Sequence, residues 1–200
     1  MRRAAARPAA ILAAATVLAA IGVASFAAEP SKRKEVTVLP AIRGCSGSSI
    51  AQFPGAFGDS RNFRVGPTVI VGGAEVGGMK PSQVRLVGRD GFKMPFLLRA
   101  GRRVTLRIRP AGRRNVRLDY GVRRDARPHL GTLPYEITFI ACSRGQRGNS
   151  DVDGKPVTFW SGGFVFRDVP VCVPLEFVID AETPVRRVLS LADRRCRRKH

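Results

Sequence analysis

The tripeptide Gly58-Asp59-Ser60 is the part of the chain that comes nearest to a catalytic motif. It matches the start of a serine-hydrolase block in which the serine attacks and a later Asp-x-x-His pair supplies the base. That chemistry needs a histidine within hydrogen-bond reach of the serine. Neither His129 nor His200 belongs to an Asp-x-x-His sequence, and residues 44–48 depart from Gly-x-Ser-x-Gly. We therefore expect loops at both places and no enzyme.

Metal and cofactor patterns are incomplete. Residues 149–154 carry acids at alternate positions and a glycine, as in the first half of a calcium loop, but Trp160 stands where a bidentate glutamate is needed. An Asp-Gly turn between two strands accounts for the same residues. Copper would need a cysteine and a histidine together, but Cys142 and His129 are far apart in the pattern. Residues 72–78 lack the following helix that a phosphate-binding loop requires, which predicts a hairpin there. We expect neither a metal ion nor a cofactor.

The chain has four cysteines, Cys45, Cys142, Cys172 and Cys196. An even number of cysteines behind an export signal is typical of disulfides. Three pairings are open, and we favour Cys142 with Cys172 and Cys45 with Cys196. The first would join the ends of two strands, and the second would tie the start of the domain to its tail. The two loops would contribute ~3.5 and ~5 kcal/mol as upper values.

The first residues have the pattern of a signal peptide. Three arginines are followed by an uncharged, Ala-rich run from 8 to 28, with small residues ahead of a cleavage site after Ala27. This divides the chain into a signal at 1–27, a linker at 28–34, a domain at 35–192 and a basic tail at 193–200. An uncleaved anchor over residues 8–28 is the alternative, because about 20 apolar residues can span a bilayer. We expect a secreted or extracytoplasmic protein.

Basic residues exceed acidic ones by 20, and by 17 without the three signal arginines. Such a charge favours anionic partners, although Arg-rich usage is also expected of a GC-rich genome. We predict an anion-binding face on adjacent strands and expect an anionic cell-wall polymer or anionic lipid as its partner. The arginine-rich stretch from Arg99 to Arg127 has one aromatic residue, Tyr120, which argues against nucleic acid. The predicted binding residues are Arg103, Arg107, Arg109 and Arg117.

Short apolar segments with a period of two, separated by Gly and Pro turns, predict strands from residue 35 onward. No segment has a convincing helical stripe. Nine to eleven such strands after a signal helix favour an all-β, immunoglobulin-like or Greek-key β-sandwich. The predicted strands are Glu35–Leu39, Thr68–Val71, Val84–Val87, Met94–Leu98, Val104–Arg109, Val116–Tyr120, Tyr135–Ala141, Val157–Trp160, Phe164–Arg167, Val171–Ile179 and Val185–Leu191.

Residues 158–164, Thr-Phe-Trp-Ser-Gly-Gly-Phe, are followed at 171–176 by Val-Cys-Val-Pro-Leu-Glu. This combination resembles the C-terminal half of uncharacterised secreted β-rich proteins of actinobacteria, over about the last seventy residues. The shared residues are of structural types. The resemblance implies export and a β-rich fold, and it implies no activity.

Together these patterns predict an exported, non-catalytic β-sandwich of the cell envelope or medium that docks an arginine-rich face on an anionic partner. Two alternatives stay open. One is an extracellular hydrolase with an unrecognised site, which requires a cleft with clustered Asp, Glu, Ser or His. The other is a structural or protein-interaction domain whose charge is incidental, which requires binding that is insensitive to salt.

Overall fold

A computed structural model describes residues 41–87, 92–120, 130–169 and 171–192, together with Cys196. The predicted signal peptide, the linker, the strand at Glu35–Leu39 and the tail other than Cys196 lie outside these residues. Among the described residues, neither α-helix has the length and apolar content needed to cross a membrane.

The described chain is mainly β, which confirms the predicted fold class. Thirteen strands and two short α-helices are present in it. The strands are β1 Ala41–Arg43, β2 Phe63–Val65, β3 Thr68–Ile70, β4 Phe92–Lys93, β5 Phe96–Arg99, β6 Arg103–Ile108, β7 Val116–Tyr120, β8 Glu136–Ile140, β9 Asn149–Val152, β10 Lys155–Trp160, β11 Gly162–Phe166, β12 Val171–Ile179 and β13 Val185–Leu191. The helices are α1 Gly73–Val76 and α2 Pro81–Val87.

The strands form three sheets. The first sheet has the order β1-β8-β6-β12-β13, the second β2-β3-β5-β10-β9 and the third β4-β11-β7. All of these neighbours are antiparallel except the edge pair β1–β8, which is parallel. The immunoglobulin-like connection of the strands stays a prediction.

The alternation of apolar and polar residues predicted several strands correctly. In β6, Val104, Leu106 and Ile108 are fully buried, while the residues between them face outward. Strands β7, β12 and β13 begin and end at the predicted residues. Strands β1, β2, β4 and β9 were not predicted, because each has only two to four residues, too few for the alternation to be recognised.

The prediction of a strand at Val84–Val87 is wrong, because this segment belongs to helix α2. Pro81 occupies the first helical turn, where its missing N–H costs nothing. The side chain of Gln83 accepts a hydrogen bond from the backbone N–H of Lys80 at 2.9 Å, which caps the helix start. The predicted hairpin at residues 72–78 likewise contains helix α1, which begins after Gly72 in a left-handed conformation with φ 70°.

Four fully buried aromatic side chains, Phe96, Tyr120, Phe139 and Trp160, form the centre of the core. Their strands are β5, β7, β8 and β10, so every one of the three sheets supplies at least one ring. The rings of Phe96 and Phe139 stack at 4.1 Å, and Tyr120 meets Phe139 edge-on at 5.3 Å. Trp160 lies 5.1 Å from Phe139. This aromatic centre therefore joins the three sheets.

The disulfides join Cys45 to Cys142 and Cys172 to Cys196. The predicted pairing of Cys142 with Cys172 and of Cys45 with Cys196 is therefore wrong. None of the described cysteines is free. Because disulfides persist in oxidising compartments, the two bonds indicate an extracytoplasmic environment.

The parallel β1–β8 pair explains the first of these bonds. Ala41 lies opposite Ile137, and the two strands run in the same direction. Continuing the pair past the end of β1 brings Cys45 beside Cys142, with their Cα atoms 4.7 Å apart. Parallel pairing of distant segments leaves no local mark in a sequence, so the bond could not be derived from spacing.

Gly163 gives a sharp test of the sheet packing, because a Cβ atom there would lie 1.8 Å from the carbonyl oxygen of Phe92. We expect Gly163→Ala to break the β4–β11 pair and to lower the free energy of unfolding by about 3 kcal/mol or more. Urea unfolding measures the change. Gly131→Ala is the matched control, because nothing lies within 4 Å of its added Cβ. Equal stability of the two variants would contradict the packing of β11 against β4.

Candidate anion-binding site

The four arginines predicted to form one face are divided between two sheets. Arg103 and Arg107 lie on β6 in the first sheet, and Arg109 follows that strand directly. Arg117 lies on β7 in the third sheet. Strand β6 pairs with β8 and β12, whereas β7 pairs with β11. The expectation that the four share one side of adjacent strands is therefore wrong.

Arg107 is already neutralised by carboxylates on the strands beside it. Its Nε donates to Glu136 at 2.6 Å, and its Nη1 donates to Glu176 at 2.9 Å. Arg186 on β13 also donates to Glu176, at 3.3 Å. Two arginines and two glutamates thus form a network with no net charge on the outer face of the first sheet, which does not present free positive charge to an anion.

The network changes the acidity of both partners. The hydrogen bonds that Arg107 donates, to Glu136 first and then to Glu176, raise the pKa of Arg107 above its ordinary value against the opposing effect of burial. Burial favours the neutral acid at Glu176, but the hydrogen bonds and charges of Arg107 and Arg186 together outweigh it and lower its pKa. Glu176 is therefore held ionised, with only 11% of its side chain exposed.

A different set of basic side chains converges where β5 turns into β6. They line an open cleft of about 550 Å³, which we name the basic cleft. Its other lining residues are small or apolar, namely Pro67, Ala100, Gly154 and Pro156. The basic residues are Arg99, Arg102, Arg144 and Lys155.

Backbone hydrogen bonds hold three chain segments together around the cleft. The N–H of Gly101, in the β5–β6 turn, donates to the carbonyl of Cys142 at 2.8 Å. The N–H of Ala100 donates to Pro156 at 3.0 Å. Arg144 follows Cys142 by two residues, so it is delivered to the cleft by a segment fixed both by this bond and by the Cys45–Cys142 disulfide.

The third segment is the β9–β10 hairpin. Asp153 and Gly154 have φ values of 57° and 71°, and Val152 pairs with Lys155 across them. A two-residue loop with both φ angles positive is a type I′ turn, which suits the twist of a hairpin. The predicted Asp-Gly turn is confirmed, and it places Lys155 in the lining of the cleft.

Two of the four basic side chains are held by protein groups. The guanidinium of Arg99 lies 3.6 Å from the ring centre of Phe57 and donates to the carbonyl of Val152 at 3.2 Å. Arg102 forms an ion pair with Asp180. Both guanidinium groups are therefore positioned without a ligand, and that of Arg99 keeps its positive charge, whereas that of Arg102 is balanced by Asp180.

Arg144 and Lys155 are exposed, and neither has an ion pair with any residue that the structure describes. The carboxylates of the neighbouring hairpin accept hydrogen bonds from backbone N–H groups. Asp151 accepts from the N–H of Gly154 and Asp153 from that of Gly55, both at 2.9 Å. Arg144 and Lys155 are thus the side chains that can reach a bound anion.

The Gly58-Asp59-Ser60 segment forms a loop, as predicted. Hydrogen bonds from Arg61, the shortest at 2.7 Å, lower the pKa of Asp59, which therefore acts as the partner of an arginine. Ser60 and Glu75 line a separate cleft of about 400 Å³. His129 and His200 lie outside the described residues. Among the described residues, no group of three or more His, Cys, Asp or Glu could hold a metal ion.

The cleft could have been found in part from the sequence. Ala100-Gly101 and Asp153-Gly154 are recognisable turns, and basic residues follow each of them. What joins them is the pairing of β5 with β10, in which Arg99 lies opposite Val157. Arg144 has no such local signal, because it is placed by the β1–β8 pair and the disulfide.

Comparisons with protein families, with curated proteins and with solved structures found no match.

The ion network of the first sheet predicts a specific acid response. Because the pKa of Glu176 is lowered from 4.5 by folding, its contribution is complete above pH 4.5 and is lost as the pH falls through the lower, folded-state pKa. Glu176→Gln should cost about 1.5–3 kcal/mol at neutral pH and flatten the loss of stability in acid. Urea unfolding across this pH range measures both effects.

Glu182→Gln is the control for that variant. Glu182 is exposed and has no ion pair among the described residues. We expect its stability to follow that of the unmodified protein at every pH. A Glu176→Gln profile parallel to the unmodified one would show that the network contributes nothing to the acid response.

Proposed function

We propose that this protein is an exported, non-catalytic β-sandwich that binds an anionic polymer of the cell envelope through the basic cleft. The observation that carries the proposal is the convergence of Arg99, Arg102, Arg144 and Lys155 from three chain segments on one open cleft. A single acid, Asp180, is paired within that group.

The electrostatics of the cleft suit a polymer with repeated charges. The guanidinium of Arg99 keeps its positive charge in the lining, that of Arg102 is balanced by Asp180, and the exposed side chains of Arg144 and Lys155 are free to close on the chain. Neutralising several polymer charges at once releases counterions, which gives affinity that falls steeply with salt. An open cleft also allows a chain to pass through it, whereas an enclosed pocket would admit only a small ligand.

The lining favours a hydrated polymer over lipid or nucleic acid. Pro67, Ala100 and Pro156 are its apolar members, and none is large enough to insert into the acyl region of a bilayer. The lining residues that the structure describes include no aromatic ring on which a base could stack. Phe57 lies under Arg99 and is occupied by that guanidinium.

Export is part of the same proposal. Its support is the basic start and Ala-rich run of residues 1–27, the two disulfides and the resemblance to secreted actinobacterial proteins. We expect a chain expressed with its own N-terminus to be recovered outside the cytoplasm, beginning at Ala28. N-terminal sequencing and thiol labelling test this. Cytoplasmic material that starts at Met1 and carries free thiols would overturn it.

For the cleft we propose the double variant R144E/K155E, which reverses both exposed charges and leaves Arg99 and Arg102 in place. Retention on immobilised poly(glycerol phosphate) at low salt should fall by about tenfold or more, because the remaining cations are already held by protein groups. Retention of the unmodified protein should fall with added salt. The matched control is K80E/K93E, which changes the net charge equally at two exposed lysines away from the cleft.

The control distinguishes binding in the basic cleft from a general effect of net charge. Equal losses in the two double variants would contradict the cleft as the binding site. Salt-insensitive retention would favour the protein-interaction alternative, and equally tight binding to phosphatidylglycerol vesicles would overturn the choice of a polymer over lipid.

A further inference from the structure

A second group of arginines lies at the other end of β6 from the basic cleft. It consists of Arg113, Arg117 and Arg167, which we name the arginine cluster. The side chain of Arg113 reaches back to β6, where its Nε donates to the carbonyl of Ile108 at 3.0 Å. The cluster therefore has its own place in the fold.

The pairing of β7 with β11 brings two members together. Phe166 lies opposite Val116, and the N–H of Arg167 donates to the carbonyl of Asn115 at 2.9 Å. Arg117 and Arg167 are consequently diagonal neighbours on one face of the third sheet, where long side chains are within reach of each other.

The third member is held by an aromatic ring and by Arg117. The guanidinium of Arg113 lies 3.9 Å from the ring centre of Tyr135. The Nη1 group of Arg117 donates to the carbonyls of Arg113 and Val116. Two of the three guanidinium groups are thus positioned by contacts that do not neutralise their charge.

Arg117 is the member with an unmet requirement. Its Nε is buried and has no hydrogen-bond partner among the described residues. Burial lowers its pKa, and the charges of Arg113 and Arg167 lower it further, while Tyr135 acts in the opposite direction. Among the described residues, no carboxylate contributes to this shift.

The carboxylates near the cluster are engaged or exposed. Asp119, two residues along the same face of β7, acts on Arg43 and raises its pKa against the larger effect of burial. Asp168 follows Arg167 in the chain and is exposed. Three positive charges are therefore held together beside one buried N–H, an arrangement that a bound anion would stabilise.

We propose that the arginine cluster is a binding site for a phosphate dianion, either free phosphate or a phosphate monoester. A phosphate dianion offers three oxygens and two negative charges to the guanidinium groups of the cluster, and so balances more of their charge than the single charge of a carboxylate would. Because Arg167 is exposed, one phosphate oxygen can point outward and carry an ester group. This site goes beyond the proposed polymer binding in the basic cleft and does not depend on it.

The test is calorimetric titration of the exported chain with inorganic phosphate, with ionic strength held constant by chloride. We expect saturable binding of one phosphate, and phenyl phosphate should bind within a few-fold of it. Diethyl phosphate, which carries a single charge, should bind at least about tenfold more weakly. A diester that binds as tightly as the monoester would overturn the dianion site.

Arg167→Gln is the main variant, because this exposed side chain can be changed without touching the core. It should weaken phosphate binding at least about tenfold. Arg114→Gln removes the same charge from an exposed neighbour outside the cluster and should leave binding unchanged. R144E/K155E should also leave it unchanged, so that failure of this site and failure of the basic cleft are distinguishable.

Two results would overturn the proposal. One is the absence of saturable heat with the unmodified protein. The other is an equal loss of affinity in Arg167→Gln and Arg114→Gln, which would mean that phosphate responds only to overall charge.

Discussion

Contact among four aromatic rings is the constraint on which the other features depend. Phe96, Tyr120, Phe139 and Trp160 are fully buried, and the three sheets meet at them. Two of the rings carry a polar group, and each of these groups has a hydrogen-bond partner. The hydroxyl of Tyr120 donates to Met94 at 2.8 Å, and the indole N–H of Trp160 donates to the Gly44 carbonyl at 3.2 Å. Large rings with satisfied polar groups specify one arrangement of the sheets, and that arrangement determines which turns become neighbours.

The basic cleft is a consequence of this arrangement. Its three segments adjoin one end of β5, β8 and β10, the strands that carry three of the four rings. Whether a basic side chain is neutralised then depends on where it lies in its sheet. On the flat outer face of the first sheet, Arg107 has glutamates on both neighbouring strands and is neutralised. At the strand ends Lys155 lies opposite Val152 rather than an acid, and Arg144 and Lys155 have no ion pair among the described residues and stay available. A net charge of +20 describes the composition, but only the fold decides which charges a partner would meet.

The fold class could be predicted because β strands leave a local signal. Val104, Leu106 and Ile108 alternate with polar residues, and β12 and β13 were located to the residue. Two kinds of information were missing. Helix α2 depends on a proline and a cap, which outweigh the β-branched residues after them. Sheet membership is non-local, so nothing in the alternation separates Arg117 from Arg107, and nothing local pairs Cys45 with Cys142. Features that depend on the sequence of a single strand were therefore predictable. Features that depend on how two distant segments pair were not.

The central claim is that an anion binds where the turns of β5–β6 and β9–β10 meet the segment after β8. The most direct measurement is an NMR titration of the oxidised, exported chain with a short glycerol phosphate oligomer at low ionic strength. Amide shifts centred on Gly101, Arg144 and Lys155, and reversed by salt, are the result that this account predicts. Shifts that are absent, or that centre on the outer face of the first sheet around Arg107, would contradict it.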